Sequence, residues 1–243
     1  MASCGYIGKG KVYLDRIFVG NVSALNIAIA EEKIEQSDYT SPGGGNCAVV
    51  QRIDSVELSM TMTRFDADNL AKAVFGTAGD TIAASVTDES ISAPAVLDDD
   101  TLLITAEMID TTGTTTLTSD PAGTTYVEGT DYTVSPAGIT VLAGGAITAS
   151  DPLLASYDTL GTGVVQALTQ SAQAYEVVFD GLNEADSGAP VTVKAYKVQF
   201  GPAADIPLIG DDFAELELTG DILLDDTVVG AGLSQYFTVA FAQ

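Results

Sequence analysis

The sequence predicts a mainly β protein with one short helix. Three observations carry this: apolar and polar residues alternate with period two in several runs, Gly, Pro, Asn and Asp cluster as turn signals between them, and a helical pattern occurs at one place. With 243 residues, 46% hydrophobic and 18% charged, the chain can form one large β domain or two smaller ones with real cores.

The first strand-like run is Lys11-Val12-Tyr13-Leu14, followed after Asp15-Arg16 by Ile17-Phe18-Val19 and a Gly20-Asn21 turn signal. From Val22, Leu25, Ile27 and Ile29 alternate with Ala24, Asn26 and Ala28, which predicts a strand with one buried face. Ile34 then stands among Glu31, Glu32, Lys33 and Glu35 before the loop Asp38-Tyr39-Thr40-Ser41-Pro42-Gly43-Gly44-Gly45-Asn46. Ordering so glycine-rich a loop costs on the order of 1 to 2 kcal/mol per residue, so its order is expected to come from outside it.

Beyond the loop lies the cleanest alternation in the chain, with Val56, Leu58, Met60 and Met62 between Ser55, Glu57, Ser59, Thr61 and Thr63. The extended segment from Ala48 to Phe65 exceeds the usual strand of about 5 to 6 residues, so a hairpin projecting beyond the body is expected. Residues 65–76 carry the helical pattern: Asp66 can cap the first N–H groups, Leu70 and Val74 share a stripe with Ala71 and Phe75, and Gly76 can end the helix after about three turns.

Residues 85–162 change character, with Thr, Gly, Asp and Ala dominant and short candidate strands at Leu102 to Met108, Thr124 to Val127, Ile139 to Leu142 and Leu153 to Tyr157. They read as an inserted small β module or long hairpins, dividing the first domain into 1–84 and 163–243. The later strands, Tyr175 to Phe179, Val191 to Phe200, Phe213 to Leu218 and Tyr236 to Phe241, are expected to rejoin the first sheet.

Charge narrows the function. The chain has 34 Asp and Glu against 9 Lys and Arg, a net charge of -25, and no Lys or Arg from residue 73 to residue 193. That region cannot hold nucleic acid by neutralising phosphates. Such a charge opposes self-association at low salt, so any assembly is expected to be salt-sensitive.

Chemistry finds little support. With 0 His and no cysteine in an electropositive setting, general-base and thiolate catalysis lack their residues, and 0 Trp leaves no evident aromatic platform for sugars, so the expectation is no enzyme. The glycine loop lacks the Lys and Ser/Thr of a phosphate-binding P-loop and opens no helix. It reads as a flexible surface loop or as one that orders on a neighbouring subunit.

Asp98-Asp99-Asp100, Asp211-Asp212 and Asp225-Asp226 lack the alternating spacing of a calcium loop and read as solvated turns, so no metal and no cofactor are expected. Cys4 and Cys47 read as two reduced, partly buried thiols, or as one bridge from the N-terminus to the loop. No apolar run approaches the roughly 20 residues of a spanning helix, and MASCGYIGKGK lacks a signal-peptide core, so cytoplasmic synthesis without membrane insertion is expected.

Gly8-Lys9-Gly10-Lys11-Val12-Tyr13-Leu14, Gly20-Asn21-Val22-Ser23-Ala24-Leu25 running into Glu31-Glu32-Lys33 and Tyr39-Thr40-Ser41, Gly129-Thr130-Asp131-Tyr132-Thr133-Val134, and Ile206-Pro207-Leu208-Ile209-Gly210 carry a resemblance. In style and element order over most of its length, the chain resembles the tail tube (major tail) proteins of long, non-contractile-tailed bacteriophages. The resemblance implies a β-sandwich of two sheets with a flanking helix, six copies of which join edge to edge into a ring. Rings stack into a hollow tube through which the genome leaves the capsid.

The implied partners are other copies of the chain, a tail tip or initiator, a tape measure protein and a terminator, with transient, non-binding passage of DNA. The implied location is the virion, after assembly in the host bacterial cytoplasm. Members carry a long loop between two early strands that crosses subunit and ring interfaces, and Tyr39, Ser41, Pro42, Gly43, Gly44, Gly45 and Asn46 fall in that place. Ser55, Glu57, Ser59, Thr61, Thr63, Glu215 and Glu217 are the lumen-facing candidates, since a DNA channel should offer no cations.

In a tube, the 85–162 module is expected on the outer surface, as decoration or as a brace between rings. An alternative of another class is an Asp-rich β-sandwich binding module, taking calcium or a host-surface glycan, on a tail tip or a cell surface.

Overall fold

The computed structural model describes residues 5–40, 42–98 and 100–242. In chain order the strands are β1 (Gly8–Leu14), β2 (Ile17–Phe18), β3 (Val22–Ser37) and β4 (Asn46–Met62), followed by helix α1 (Ala67–Ala73). Next come β5 (Thr77–Asp80), β6 (Ser85–Ser92), β7 (Leu102–Ile104), β8 (Thr116–Ser119), β9 (Tyr132–Ser135), β10 (Gly138–Val141), β11 (Pro152–Asp158) and β12 (Gly163–Gln166). The chain finishes with β13 (Ala174–Asn183), β14 (Ala189–Phe200), β15 (Leu216–Ile222) and β16 (Phe237–Phe241).

The fold is mainly β with one short helix, and the chain divides into two compact units. Gly79–Val164 is one; the residues up to Ala78 and from Val165 onward form the other. This division is slightly wider than the 85–162 boundary drawn from composition. Strands β5 and β12 pair with each other, and the boundary runs through both.

The discontinuous unit is built on an eight-stranded antiparallel sheet in the order β2-β1-β13-β14-β15-β4-β3, with β16 added to β14. On the edge away from β13, strand β14 serves two neighbours: Val191 to Ala195 pair with β16, whereas Val198 to Phe200 pair with β15. The sheet folds over itself, so that Val12, Leu14, Val177, Ala195, Val198 and Phe200 share one core with Val56, Leu58, Met60, Met62, Leu216 and Leu218. The alternation read in residues 55–63 is this core seen edge-on: Val56, Leu58, Met60 and Met62 are buried and the residues between them are not.

The helix is shorter than expected. Asp66 is its N-cap, accepting a hydrogen bond from the Asn69 N–H at 2.8 Å, but the last helical residue is Ala73. Phe75, not Gly76, takes the left-handed turn at φ 52°, and the Gly76 N–H reaches back to the Ala71 carbonyl at 2.7 Å. Gly76 has a different reason to be glycine: a Cβ there would stand 2.5 Å from the Gln166 carbonyl oxygen. Asn69 is buried, its amide donating to the Val19 carbonyl at 2.9 Å, which ties the helix to the end of the first hairpin.

Gly79–Val164 has its own closed core. Two three-stranded sheets, β7-β10-β9 and β6-β11-β8, bury Leu103, Ile109, Leu117, Tyr132, Ile139, Leu153 and Tyr157. Asp131 is buried and accepts hydrogen bonds from the Val127 and Ala146 N–H groups at 2.7 and 2.8 Å, which holds its carboxyl below the usual carboxylate range.

Several expected strands change extent here. Leu102 to Met108 is a strand only to Ile104, because Thr105 turns back onto Glu107 and the Ala106 N–H donates to Glu89. Thr124 to Val127 is no strand but a single bridge at Thr125, since the Val127 N–H goes to Asp131. In the other unit, Phe213 to Glu215 precede the strand read at Phe213 to Leu218: β15 starts at Leu216, opposite Met62, where β4 ends.

Candidate functional site

Three surfaces of the discontinuous unit are candidates for function. The first is the outward face of β3, β4 and β15. Glu57, Ser59 and Thr61 alternate with buried neighbours there, Ser55 and Thr63 flank them, and Glu217 lies opposite Thr61. Glu215 precedes β15 and accepts a hydrogen bond from the Ser23 hydroxyl at 3.2 Å.

The ladder adds Ala24, Asn26 and Ala28 from β3 and Thr219 and Asp221 from β15 to the same face. Ser55, Glu57, Ser59, Thr61 and Glu217 therefore share one face of the ladder, with Thr63 and Glu215 just beyond its strand ends.

The second surface is the far half of the β3–β4 hairpin. Glu31 to Ser37 and Asn46 to Asp54 are exposed throughout, on both faces of the ladder. The seven residues on β3, against nine on β4, make an arm of roughly 20 Å at about 3.3 Å per residue. Ile34 opposite Val50 on one face, and Ile53 opposite Glu31 and Val49 opposite Glu35 on the other, leave apolar side chains in solvent. Lys33 pairs with Glu35, which lowers the Glu35 pKa, with Asn46 helping.

At the arm's tip the loop makes hydrogen bonds of its own. The Asp38 N–H donates to the Gly45 carbonyl at 2.7 Å, and the Asp38 carboxylate accepts from the Thr40 N–H and hydroxyl at 2.7 and 2.6 Å. Gly44 and Gly45 take φ of 64° and 131°, so the glycines serve a specific reversal that closes on itself. Tyr39 is 93% exposed, Pro42, Gly43, Gly44, Gly45 and Asn46 are exposed too, and Ser41 lies outside the described residues.

Cys47 is exposed on the arm, rather than partly buried, because the arm has no core to enter, and it has no disulfide among the described residues. Cys4, and with it the alternative bridge, lies outside the described residues.

The third surface was not foreseen. The alternation at Leu25, Ile27 and Ile29 predicted a buried face, but Leu25 and Ile27 are only half-buried and Ile29 is 59% exposed. These side chains form one wall of a trough of about 1050 Å³, whose other walls include Val191 and Val193 of β14 and Phe237, Val239 and Phe241 of β16. Among the described residues β3 pairs only with β4 and β16 only with β14, so each of these walls ends in a free strand edge. The periodicity marked the face as apolar; what covers it is not written in a period of two.

Among the described residues no three His, Cys, Asp or Glu side chains converge on a metal position. Asp225, in one of the Asp runs, accepts from the Thr227 N–H and hydroxyl at 3.0 and 2.7 Å, and those bonds lower its pKa. It is engaged in a turn. No helix among the described residues is long and apolar enough to cross a membrane.

Residues 5–240 match the family described as Protein of unknown function UCP028589. No curated protein matches the chain.

Proposed function

The chain belongs to the UCP028589 family across both of its units, and on that premise we propose one structural role for the whole: a virion subunit that self-assembles into stacked rings. The rings, hexameric in this proposal, form the tail tube of a long, non-contractile-tailed phage and conduct its DNA during ejection. The partners are other copies of the chain, with tail tip, tape measure and terminator proteins at the ends or in the lumen, and the role involves no catalysis.

The observation that carries the proposal is the arm. A β-ribbon exposed on both faces has no packing partner in its own unit, and two strands alone are marginally stable in water. Ile34, Val49, Val50 and Ile53 gain cover when the arm lies on another copy. The acidic outward face supports the same reading, because phosphates passing Ser55, Glu57, Ser59, Thr61 and Glu217 meet nothing that grips them. Gly79–Val164, with a core of its own and none of the nine Lys and Arg, is the proposed outer decoration or brace of the tube.

Replacing residues 32–52 by a two-residue turn tests the role of the arm. The shortened protein should keep the core, as read by its thermal transition, and stay monomeric by sedimentation where the full chain assembles. Assembly of the shortened chain to the same size would remove the observation on which the proposal stands.

A further inference from the structure

We propose that the trough between β3 and β16 is the socket for residues 205–213 of a second copy of this chain. This rests on the reading of the protein as a self-assembling subunit and names the contact that joins one copy to the next.

The trough is an unfinished part of the core. Its floor continues the buried cluster through Val12 and Val191, while Ile29, Val239 and Phe241 at its margins are 59%, 43% and 62% exposed. The same chain carries the missing apolar material elsewhere. The segment joining β14 to β15 has no helix or strand, and it holds Leu208, Ile209 and Phe213 at 79%, 99% and 97% exposure.

Both ends of that segment are fixed: the Ala203 N–H donates to the Ala73 carbonyl at 2.7 Å, and Glu215 accepts from Ser23. Held this way, its three large apolar side chains stand largely in solvent. One molecule thus presents an unfilled apolar hollow and an uncovered apolar strap.

Charge admits this occupant. Among the described residues Lys9 is the only charged one lining the trough, and Glu184 pairs with it at 2.9 Å, so the hollow carries little net charge in a chain of net charge -25. The strap and its flank carry Asp205, Asp211, Asp212 and Glu215 and no Lys or Arg. An acidic segment with exposed apolar side chains therefore meets an apolar wall that adds no net negative charge to repel it. Pro207 offers no N–H to a strand edge, so side chains seated in the hollow make the contact rather than a continued ladder.

The contact is head-to-tail, with the strap of one copy in the trough of the next, and such a contact builds rings or filaments rather than closed twofold dimers.

Two variants at exposed positions test it, Ile209→Asp with Phe213→Ser on the strap and Val239→Glu in the trough. Under conditions in which the full chain assembles, each variant alone should sediment as a monomer. An equimolar mixture should give one-to-one dimers, because it contains one intact strap and one intact trough. Assembly of both variants to wild-type size overturns the contact while leaving the tube reading in place.

A labelled peptide of residues 205–214 makes the test independent of assembly. It should bind the strap variant, and bind the Val239→Glu protein at least tenfold more weakly. Equal binding to both, or none to either, overturns the proposal. Wild-type chains that never assemble while the peptide still discriminates would sink the tube reading and leave the socket.

Discussion

Glu57 of β4 and Asp221 of β15 are direct ladder partners, so two carboxylates stand side by side on the outward face, with Ala28 on the other flank of Glu57. Like charges in register destabilise a sheet by roughly 0.2–1 kcal/mol. Glu57→Gln should raise stability by up to about 1 kcal/mol at low salt, with the gain shrinking as salt screens the pair. Urea unfolding at two ionic strengths reads both effects, and a loss of stability would mean that Glu57 makes a favourable contact instead.

Gly76→Ala should destabilise the discontinuous unit by about 1–3 kcal/mol, the usual cost of forced overpacking. The added Cβ would stand 2.5 Å from the Gln166 carbonyl oxygen, a backbone atom that cannot swing aside. Thermal unfolding checks it; a neutral substitution would show that β12 can move away from the helix end.

Tyr157→Phe acts on the other unit. The Tyr157 hydroxyl donates to the Glu89 carboxylate at 2.5 Å, and burial, with that bond and charge, pushes the phenol up to about 12. Hydrogen bonds to charged groups contribute about 1.5–3 kcal/mol, so the variant should lose an amount of that order. Because the folded pKa lies above the unfolded value of about 10, the stabilisation is complete below pH 10 and is lost as pH rises toward 12. The variant should show a shallower alkaline fall in stability; an unchanged slope would assign that fall to other tyrosines.

Asp131→Ala should lower the unfolding midpoint of Gly79–Val164 more than Asp131→Asn does, since Asn keeps one acceptor for the Val127 or the Ala146 N–H. The folded pKa is depressed, so the contribution is present above the usual carboxylate pKa and disappears as pH falls through the folded value. Midpoints of wild type and variant should converge in acid. A constant difference at every pH would mean the carboxylate's charge plays no part.

Sequence reading reached the parts of this fold where a strand has one buried and one open face. Val56 to Met62 showed their core side and, by subtraction, the outward polar residues. It failed where a local device breaks the period. In β6, Asp88 takes φ 54° beside a register shift against β11, so Val86, Glu89 and Ile91 are unevenly spaced and the strand passed unnoticed.

Exposed apolar residues misled in two ways. Phe213 reads as the opening of a strand that in fact begins at Leu216, because an exposed apolar side chain looks in sequence like one that enters a core. Leu25, Ile27 and Ile29 promised a buried face for the same reason. The arm was legible from strand length; its self-closed tip was not, since the bond from Asp38 to Gly45 depends on the left-handed glycines between them.

The most direct test of the central claim is negative-stain electron microscopy of the purified full chain, concentrated and incubated across a salt series, with and without a preformed tail tip. Hollow tubes of regular repeat, favoured by salt because screening reduces repulsion between copies of net charge -25, are the predicted result. Dispersed monomers at every salt concentration, with the tip present, would contradict it.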